Sequence, residues 1–195
     1  LLVVLAEQVR PDAAQTLDYF KRQGVAVRVI SGDNPVTVAA IAAHLGLRNP
    51  DGSEPVGVDA RTLPAIEDTQ ALADVLEKHT VFGRVTPEQK RAFVNALKSR
   101  GHTVAMTGDG VNDAPSIKRA DIGIGMGITG TDVTKNVADM VLADDNFATI
   151  IGAVEEGRRI YDNIRKCIPF LLSSNLAEVI AVFVASLVGF TILEP

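Results

Sequence analysis

The chain has 195 residues, 47% hydrophobic and 22% charged, which is enough apolar material for one packed domain with an appendage and too much for a disordered polar tract. Acidic residues outnumber basic ones by 24 to 19, giving a net charge of −5, which argues against a broad nucleic-acid surface and against nucleic acid as a partner. A single cysteine, Cys167, excludes an intrachain disulfide, and three histidines without a CxxC or HExxH pattern exclude a zinc framework.

The opening run Leu1-Leu2-Val3-Val4-Leu5 resembles the middle of a buried strand, and no basic leader or cleavage site follows. With no initiator Met, and with an end at Glu194-Pro195 just past an apolar run, both termini are expected to be cuts within a longer polypeptide. Pro11 can open a helix that places Ala13, Leu17 and Phe20 on one face. Val25 to Ile30 is a strand rich in β-branched residues, ending in the turn sequence Ser31-Gly32-Asp33-Asn34. Pro35 starts a helix with Val38, Ile41, Ala42 and Leu45 at helical spacing, and Asn49 to Asp59 is a surface loop. Leu72 to Lys78 is helical, and Thr80 to Phe82 is a short strand. Pro87 to Arg100 is an amphipathic helix with Phe93, Val94 and Leu97 inward. A strand over His102 to Met106 runs into Thr107-Gly108-Asp109-Gly110; Ile122 to Ile124 and Met140 to Leu142 are further strands with a helix between them.

Alternating strands and helices predict an α/β fold in which a parallel sheet carries helices on both faces. Ligands of such sheets bind beyond the carboxyl ends of the strands, where the two acidic turns, Ser31 to Asp33 and Thr107 to Asp109, fall. Beyond Phe147 the pattern changes. A continuous helix of about 46 residues at ~1.5 Å each would be roughly 70 Å long, too long for one small domain. Its first half carries Glu155, Glu156, Arg158, Arg159, Asp162, Arg165 and Lys166; from Cys167 to Leu193 the only formal charge is Glu178. The expected organisation is a domain over 1–145, a stalk helix over 146–166 and a transmembrane helix over 167–193. Arg158, Arg159, Arg165 and Lys166 precede the apolar half and no base follows it, which places the domain on the cytoplasmic side of a lipid bilayer.

In Thr107-Gly108-Asp109-Gly110-Val111-Asn112-Asp113, two glycines allow a tight turn, and two carboxylates and an amide crowd one strand end. Hard oxygens of this kind suit Mg²⁺, which keeps several waters and takes one or two carboxylates plus phosphate. Ser31-Gly32-Asp33 offers a hydroxyl and backbone N–H groups for phosphoryl oxygens, and Lys90 adds an ammonium. The set lacks a nucleophile, since no Asp-Lys-Thr-Gly-Thr segment occurs, and it has no P-loop pattern. In the apolar helix, Asn175 and Glu178 are three apart and share a face. A membrane-embedded charge costs ~2.5–3.5 kcal/mol or more, which marks Glu178 as a functional candidate.

Together the segments Ser31 to Asn34, Arg84 to Lys90, Met106 to Pro115, Gly127 to Asp132, Asp144 to Thr149 and Leu171 to Asn175 resemble a P-type ATPase, a cation pump that forms an aspartyl-phosphate. The Ser-Ser-Asn-x-x-Glu helix is most similar to the calcium-transporting type II members. The resemblance implies a haloacid-dehalogenase-like phosphorylation domain feeding transmembrane helix five, with ATP as substrate, Mg²⁺ as cofactor and Ca²⁺ as the leading transported cation. By matching, Asp109 resembles the catalytic Mg²⁺ ligand, supported by Asp113 and Asn112. Ser31 resembles the hydroxyl that holds the phosphoryl group, and Lys90 the lysine that neutralises it. Gly32, Asp33 and Arg84 resemble nucleotide contacts, a group in which Ser31, Lys90 and Asn112 are also counted. Asn175 and Glu178 resemble ligands of the transported ion.

There are departures from the family pattern. Glu7-Gln8-Val9-Arg10 stands where Asp-Pro-Pro-Arg is usual, Ser31 stands where threonine is common, and Pro169 stands where calcium pumps usually have arginine. The phosphorylated aspartate and the nucleotide, actuator and other transmembrane parts are expected in the same polypeptide, outside these residues. Two rival readings are a soluble hydrolase of the same fold and a non-catalytic, membrane-anchored Mg²⁺-binding module.

Overall fold

The computed structural model describes residues 10–189; the strand expected at Leu1 to Leu5 and the Glu7-Gln8 departure lie outside the described residues. The described chain divides into two compact units, with the boundary between Ile151 and Gly152.

In the first unit, α1 (Ala13–Arg22) is followed by β1 (Val29–Ile30), α2 (Pro35–His44), β2 (Val58–Asp59), α3 (Thr69–Lys78) and β3 (Val81–Gly83). Then come α4 (Pro87–Ser99), β4 (Ala105–Gly108), α5 (Ala114–Arg119), β5 (Ile122–Met126), α6 (Asp132–Val137) and β6 (Met140–Leu142). Among the described residues the strands form two three-stranded parallel sheets, ordered β1-β3-β2 and β4-β5-β6.

The β-strand alternation of side chains sorts the core into layers. Val81 points toward α2, where it packs with Val38, Ala39 and Ala42. Its neighbour Phe82 points the other way, into Leu72, Leu76 and Phe93 of α3 and α4. Helices therefore cover both faces of the first sheet, as the alternating pattern predicts. Helix α4 also serves the second sheet, because Val94 packs with Met106 of β4 and Ile117 of α5. Ile30 at the end of β1 touches both clusters. The entry to α4 is fixed by a capping box: Thr86 accepts from the Gln89 N–H, and the Gln89 side chain accepts from the Thr86 N–H.

Several elements differ from expectation. The strand expected over Val25 to Ile30 is reduced to Val29–Ile30, because β3, its ladder partner, begins only at Val81. Arg28 turns instead to the end of α3, donating to the carbonyls of Leu76 and Glu77. Val58–Asp59, read as loop, pairs with Phe82 and Gly83 as β2. The strand expected over His102 to Met106 lies at Ala105–Gly108 instead, paired with β5. The six-residue α5 is too short to leave a periodic signature.

Helix α7 (Thr149–Leu187) runs for 39 residues, straight through Pro169 without interruption. Among the described residues it is the one helix long and apolar enough to cross a membrane, with a mean hydropathy of 1.9 in its most apolar stretch. Nearly every side chain beyond Val154 is exposed, including large ones such as Phe170, Phe183 and Leu187.

Candidate phosphoryl and metal site

The carboxyl ends of the parallel strands carry the two acidic turns. At the end of β1, Ser31 Oγ donates to Asp33 Oδ2 at 2.7 Å and accepts from the Asp33 N–H at 3.1 Å. Asn34 then caps α2 by accepting from the Val36 N–H. The end of β3 is stitched to this turn. The Ser31 N–H donates to the Phe82 carbonyl, the Val85 N–H to the Ser31 carbonyl, and the Arg84 N–H to the Asp33 carbonyl. Gly83 is required by closeness: a Cβ there would lie 2.5 Å from Pro35 Cα and 2.8 Å from the Asp33 carbonyl oxygen.

Arg84 adopts φ 55°, unusual for a long side chain, and its guanidinium donates to Asp59 Oδ2 at 2.8 Å. Asp59 also holds Arg61 through both carboxylate oxygens. Hydrogen bonds from Arg61, with Arg84 adding to them, keep the Asp59 carboxyl well below the usual carboxylate range. Arg84 is thus presented at the mouth of the first turn with its position set by Asp59, a partner that the sequence reading missed. The reason is that Asp59 belongs to a strand read as loop.

At the end of β4 the turn runs Gly108, Asp109, Gly110, then a short 3₁₀ turn (Val111–Asp113) into α5. Neither Gly108 nor Gly110 has positive φ, so a left-handed backbone is not why glycine is needed here. Gly108 is needed because a Cβ would fall 2.5 Å from Asp113 Cβ. Asp113 is 8% exposed, and both its oxygens are engaged. Oδ1 accepts from Lys90 Nζ at 2.7 Å, and Oδ2 from the Gly110 N–H at 3.3 Å. Asp109 and Asn112 are exposed, and among the described residues no donor engages the Asp109 carboxylate. The loop after β5 completes the surroundings. The Thr131 N–H donates to the Asp109 carbonyl, and the fully buried Thr134 reaches the Asp109 and Gly110 carbonyls.

A groove of about 810 Å³ is lined by Ser31, Asp33 and Asn34 of the first turn and by Thr107 of β4, two residues ahead of Asp109; Asp109, Asn112, Asp113 and Lys90 lie outside its lining. Its body is apolar, with Leu17, Val29, Val38 and Ile41 among the lining. The structure therefore brings Ser31, Asp33 and Thr107 to one groove, joins Lys90 to Asp113, and ties Arg84 to the first turn. Asn175 and Glu178 lie on α7, in the second unit.

Among the described residues no three His, Cys, Asp or Glu side chains converge as a cage for a metal. Mg²⁺ does not need one, since it retains waters and shares its coordination with phosphate. One exposed carboxylate beside a Lys-paired second carboxylate fits that ion and does not fit a structural zinc or a fully protein-ligated calcium.

A parallel α/β unit with hydroxyl, ammonium and carboxylate groups at its strand ends has the chemistry that suits phosphoryl groups. A family model described as a haloacid dehalogenase-like hydrolase matches residues 2–121, and the chain belongs to that family. Over 188 residues, 96% of the chain, it is 51% identical to the calcium-transporting ATPase CtpE of Mycolicibacterium smegmatis, covering 22% of that protein. It is 47% identical to calcium-transporting ATPase 1 of Bacillus cereus, again over 96% of the chain and 21% of the relative. A P-type sodium-transporting ATPase of Toxoplasma gondii is 46% identical over 90% of the chain and 14% of its own length. Among solved structures, a zinc-transporting PIB-type ATPase in the E2.Pi state superposes with a TM-score of 0.66 at 31% identity, over 95% of this chain and 24% of that one. The chain spans about a fifth of the length of the curated relatives it matches.

Proposed function

We propose that this chain is part of an ATP-driven cation pump that works through an aspartyl-phosphate, with Ca²⁺ as the transported ion. Residues 1–145 form the carboxyl-terminal part of its phosphorylation domain, 146–166 the stalk and 167–193 a membrane-spanning helix. The observation that carries the reading is one groove lined by the Ser31 turn and by Thr107 of β4, two residues ahead of Asp109, with Lys90 and Asp113 paired in the turn that follows. Similarity to calcium-transporting ATPases over 96% of the chain supports it further.

In this reading Ser31 Oγ–H and the N–H groups of Gly32 and Asp33 receive the oxygens of the transferred phosphoryl group, and Lys90 neutralises their charge. Ser31 then exchanges its bond to Asp33 for one to phosphate, which leaves Asp33 free toward nucleotide. Arg84, Asn112 and Lys90 complete the nucleotide-facing set. Asp109 is the carboxylate that holds Mg²⁺; Asp113 backs it by fixing Lys90 and the Gly110 N–H. Bound Mg²⁺ supplies charge neutralisation at the phosphoryl oxygens. The nucleophilic aspartate comes from a segment outside these residues. The groove suits that segment, because among the described residues β1 and β4 are both edge strands and both contribute to its wall.

The exposed apolar side chains of α7 suit a lipid environment, and the basic residues Arg158, Arg159, Arg165 and Lys166 ahead of them support a cytoplasmic phosphorylation domain. Asn175 and Glu178 offer oxygens to the transported cation. The nucleotide and actuator domains and the remaining membrane helices complete the polypeptide.

The test is Asp109→Asn in the full-length polypeptide. The amide keeps the shape but loses the charge that holds Mg²⁺, so phosphoenzyme from labelled ATP should be abolished while the protein stays folded and membrane-inserted. Near-normal phosphoenzyme at millimolar Mg²⁺ would refute the assignment.

A further inference from the structure

Thr134 sits inside α6, is 0% exposed, and makes an unusual set of contacts for a helical threonine. Its Oγ1 lies 3.0 Å from the Gly110 carbonyl oxygen and 3.4 Å from that of Asp109. The same atom lies 2.9 Å from Thr131 Oγ1, the cap residue of α6. A hydroxyl has one proton, and carbonyls can only accept. When Thr134 donates to the Gly110 carbonyl, the nearer of the two acceptors, Thr131 is left to donate to Thr134. Thr131 Oγ1 in turn accepts from the Thr134 N–H at 3.3 Å. Alongside it, the Thr131 N–H donates to the Asp109 carbonyl at 3.0 Å.

The consequence falls on Asp109. Its side chain is exposed and engages no donor among the described residues, so the backbone alone sets the Cα–Cβ direction from which the carboxylate starts. That backbone is clamped from both sides. On one side the Gly110 N–H is held by Asp113, which is itself held by Lys90. On the other side the Asp109 and Gly110 carbonyls are held by the Thr131–Thr134 pair. The Asp109–Gly110 peptide is thus pinned at both its C=O and its N–H, and the next peptide at its C=O, which restrains the backbone on the carboxyl side of the Asp109 Cα.

We infer that Thr134, relayed by Thr131, is a positioning residue for the metal-binding carboxylate of Asp109, setting its direction through the backbone without touching the ion. The inference rests on the assignment of Asp109 to Mg²⁺. Groups that orient a ligand from outside the coordination sphere change metal affinity by about 10–100-fold when removed.

The experiment uses Mn²⁺ as the probe, titrated into the full-length polypeptide and followed by electron paramagnetic resonance, with the Asp109-dependent fraction defined by Asp109→Asn. Thr134→Ser keeps the hydroxyl and Thr134→Ala does not, while both remove the same methyl group. The serine variant should bind Mn²⁺ like the parent, and the alanine variant should need about ten times more. The Mg²⁺ concentration for half-maximal phosphoenzyme should move in parallel, with the maximum recovered at saturating Mg²⁺. Equal Mn²⁺ affinity in the serine and alanine variants overturns the positioning role alone. A parent protein with no Asp109-dependent Mn²⁺ binding overturns the metal assignment and this inference with it.

Discussion

Lys90 Nζ lies 2.7 Å from Asp113 Oδ1, across the join between α4 and the turn that follows β4, with side chains only 17% and 11% exposed. The pair locks the first turn of one helix to the acidic loop, and through the Asp113–Gly110 bond it shapes the backbone that carries Asp109. Lys90 therefore has two duties in the proposed cycle: it holds Asp113, and it faces the phosphoryl group.

Lys90→Met separates these duties from simple packing, since the methionine stem retains most of the lysine's apolar length. It leaves Asp113 without its cation, and an unsatisfied buried partner costs about 1–3 kcal/mol. Thermal unfolding should register that loss. Phosphoenzyme formation in the full-length protein should fall much further than stability does. Lys90→Arg should restore most of the stability and less of the phosphorylation, because a planar fork does not reproduce a compact ammonium. Full activity in Lys90→Met would remove lysine from the site.

Much of the first unit was legible because its signals are local. Pro35 and Pro87 at helix starts and the helical spacing of the apolar residues that follow them all act within a few residues. The turns at Ser31 and Thr107 were legible for the same reason. What was missed depends on contacts distant in sequence. Asp59 becomes visible as the partner of Arg84 only when β2 pairs with β3, 25 residues away. Thr134 looks like an ordinary polar residue until α6 folds back beneath the Asp109 turn, again 25 residues distant. Glycine usage was misread in its cause at Gly108, where spacing suggested a tight turn and the structure shows a close approach to Asp113.

Asp145 provides a pH-dependent test of the loop after β5. Its backbone is left-handed at φ 50°, and its carboxylate accepts from the N–H groups of Ile128 and Thr129 and from Thr129 Oγ1. The Ile128 N–H is the leading cause, with Thr129 adding to it against an opposing effect of burial, and the carboxyl falls from its ordinary 3.8 to about 2. A depressed folded-state value means that the ionised form stabilises the fold above about pH 4, and that this stabilisation is lost as pH falls toward 2. Asp145→Asn should therefore lower the urea midpoint at pH 7. The gap between variant and parent should narrow steadily from about pH 4 and close near pH 2. A gap that stays constant across this range would mean that the carboxylate charge plays no part in holding the loop.

Glu178 tests the ion-binding half of the proposal. Asn175 and Glu178 stand three residues apart on α7, on one helical face, within its apolar half. Glu178 is the one formal charge between Cys167 and Leu193, in a stretch where charge is expensive. Two oxygen-bearing side chains supply part of the six-to-eight-oxygen shell that Ca²⁺ takes, so other helices of the full polypeptide must supply the rest. Glu178→Gln keeps the size of the side chain and removes its charge. If Glu178 is a ligand, Ca²⁺-activated phosphorylation from ATP should require far more Ca²⁺. Phosphorylation from inorganic phosphate, which uses the Asp109 turn but needs no bound Ca²⁺, should survive in the same preparation and show that the cytosolic site is intact. The measurement is a Ca²⁺ titration of phosphoenzyme in parent and variant, with the inorganic-phosphate reaction as the internal control. An unchanged Ca²⁺ midpoint with both reactions intact would exclude Glu178 from the transport site, and α7 would then be a membrane anchor rather than a carrier of ion ligands.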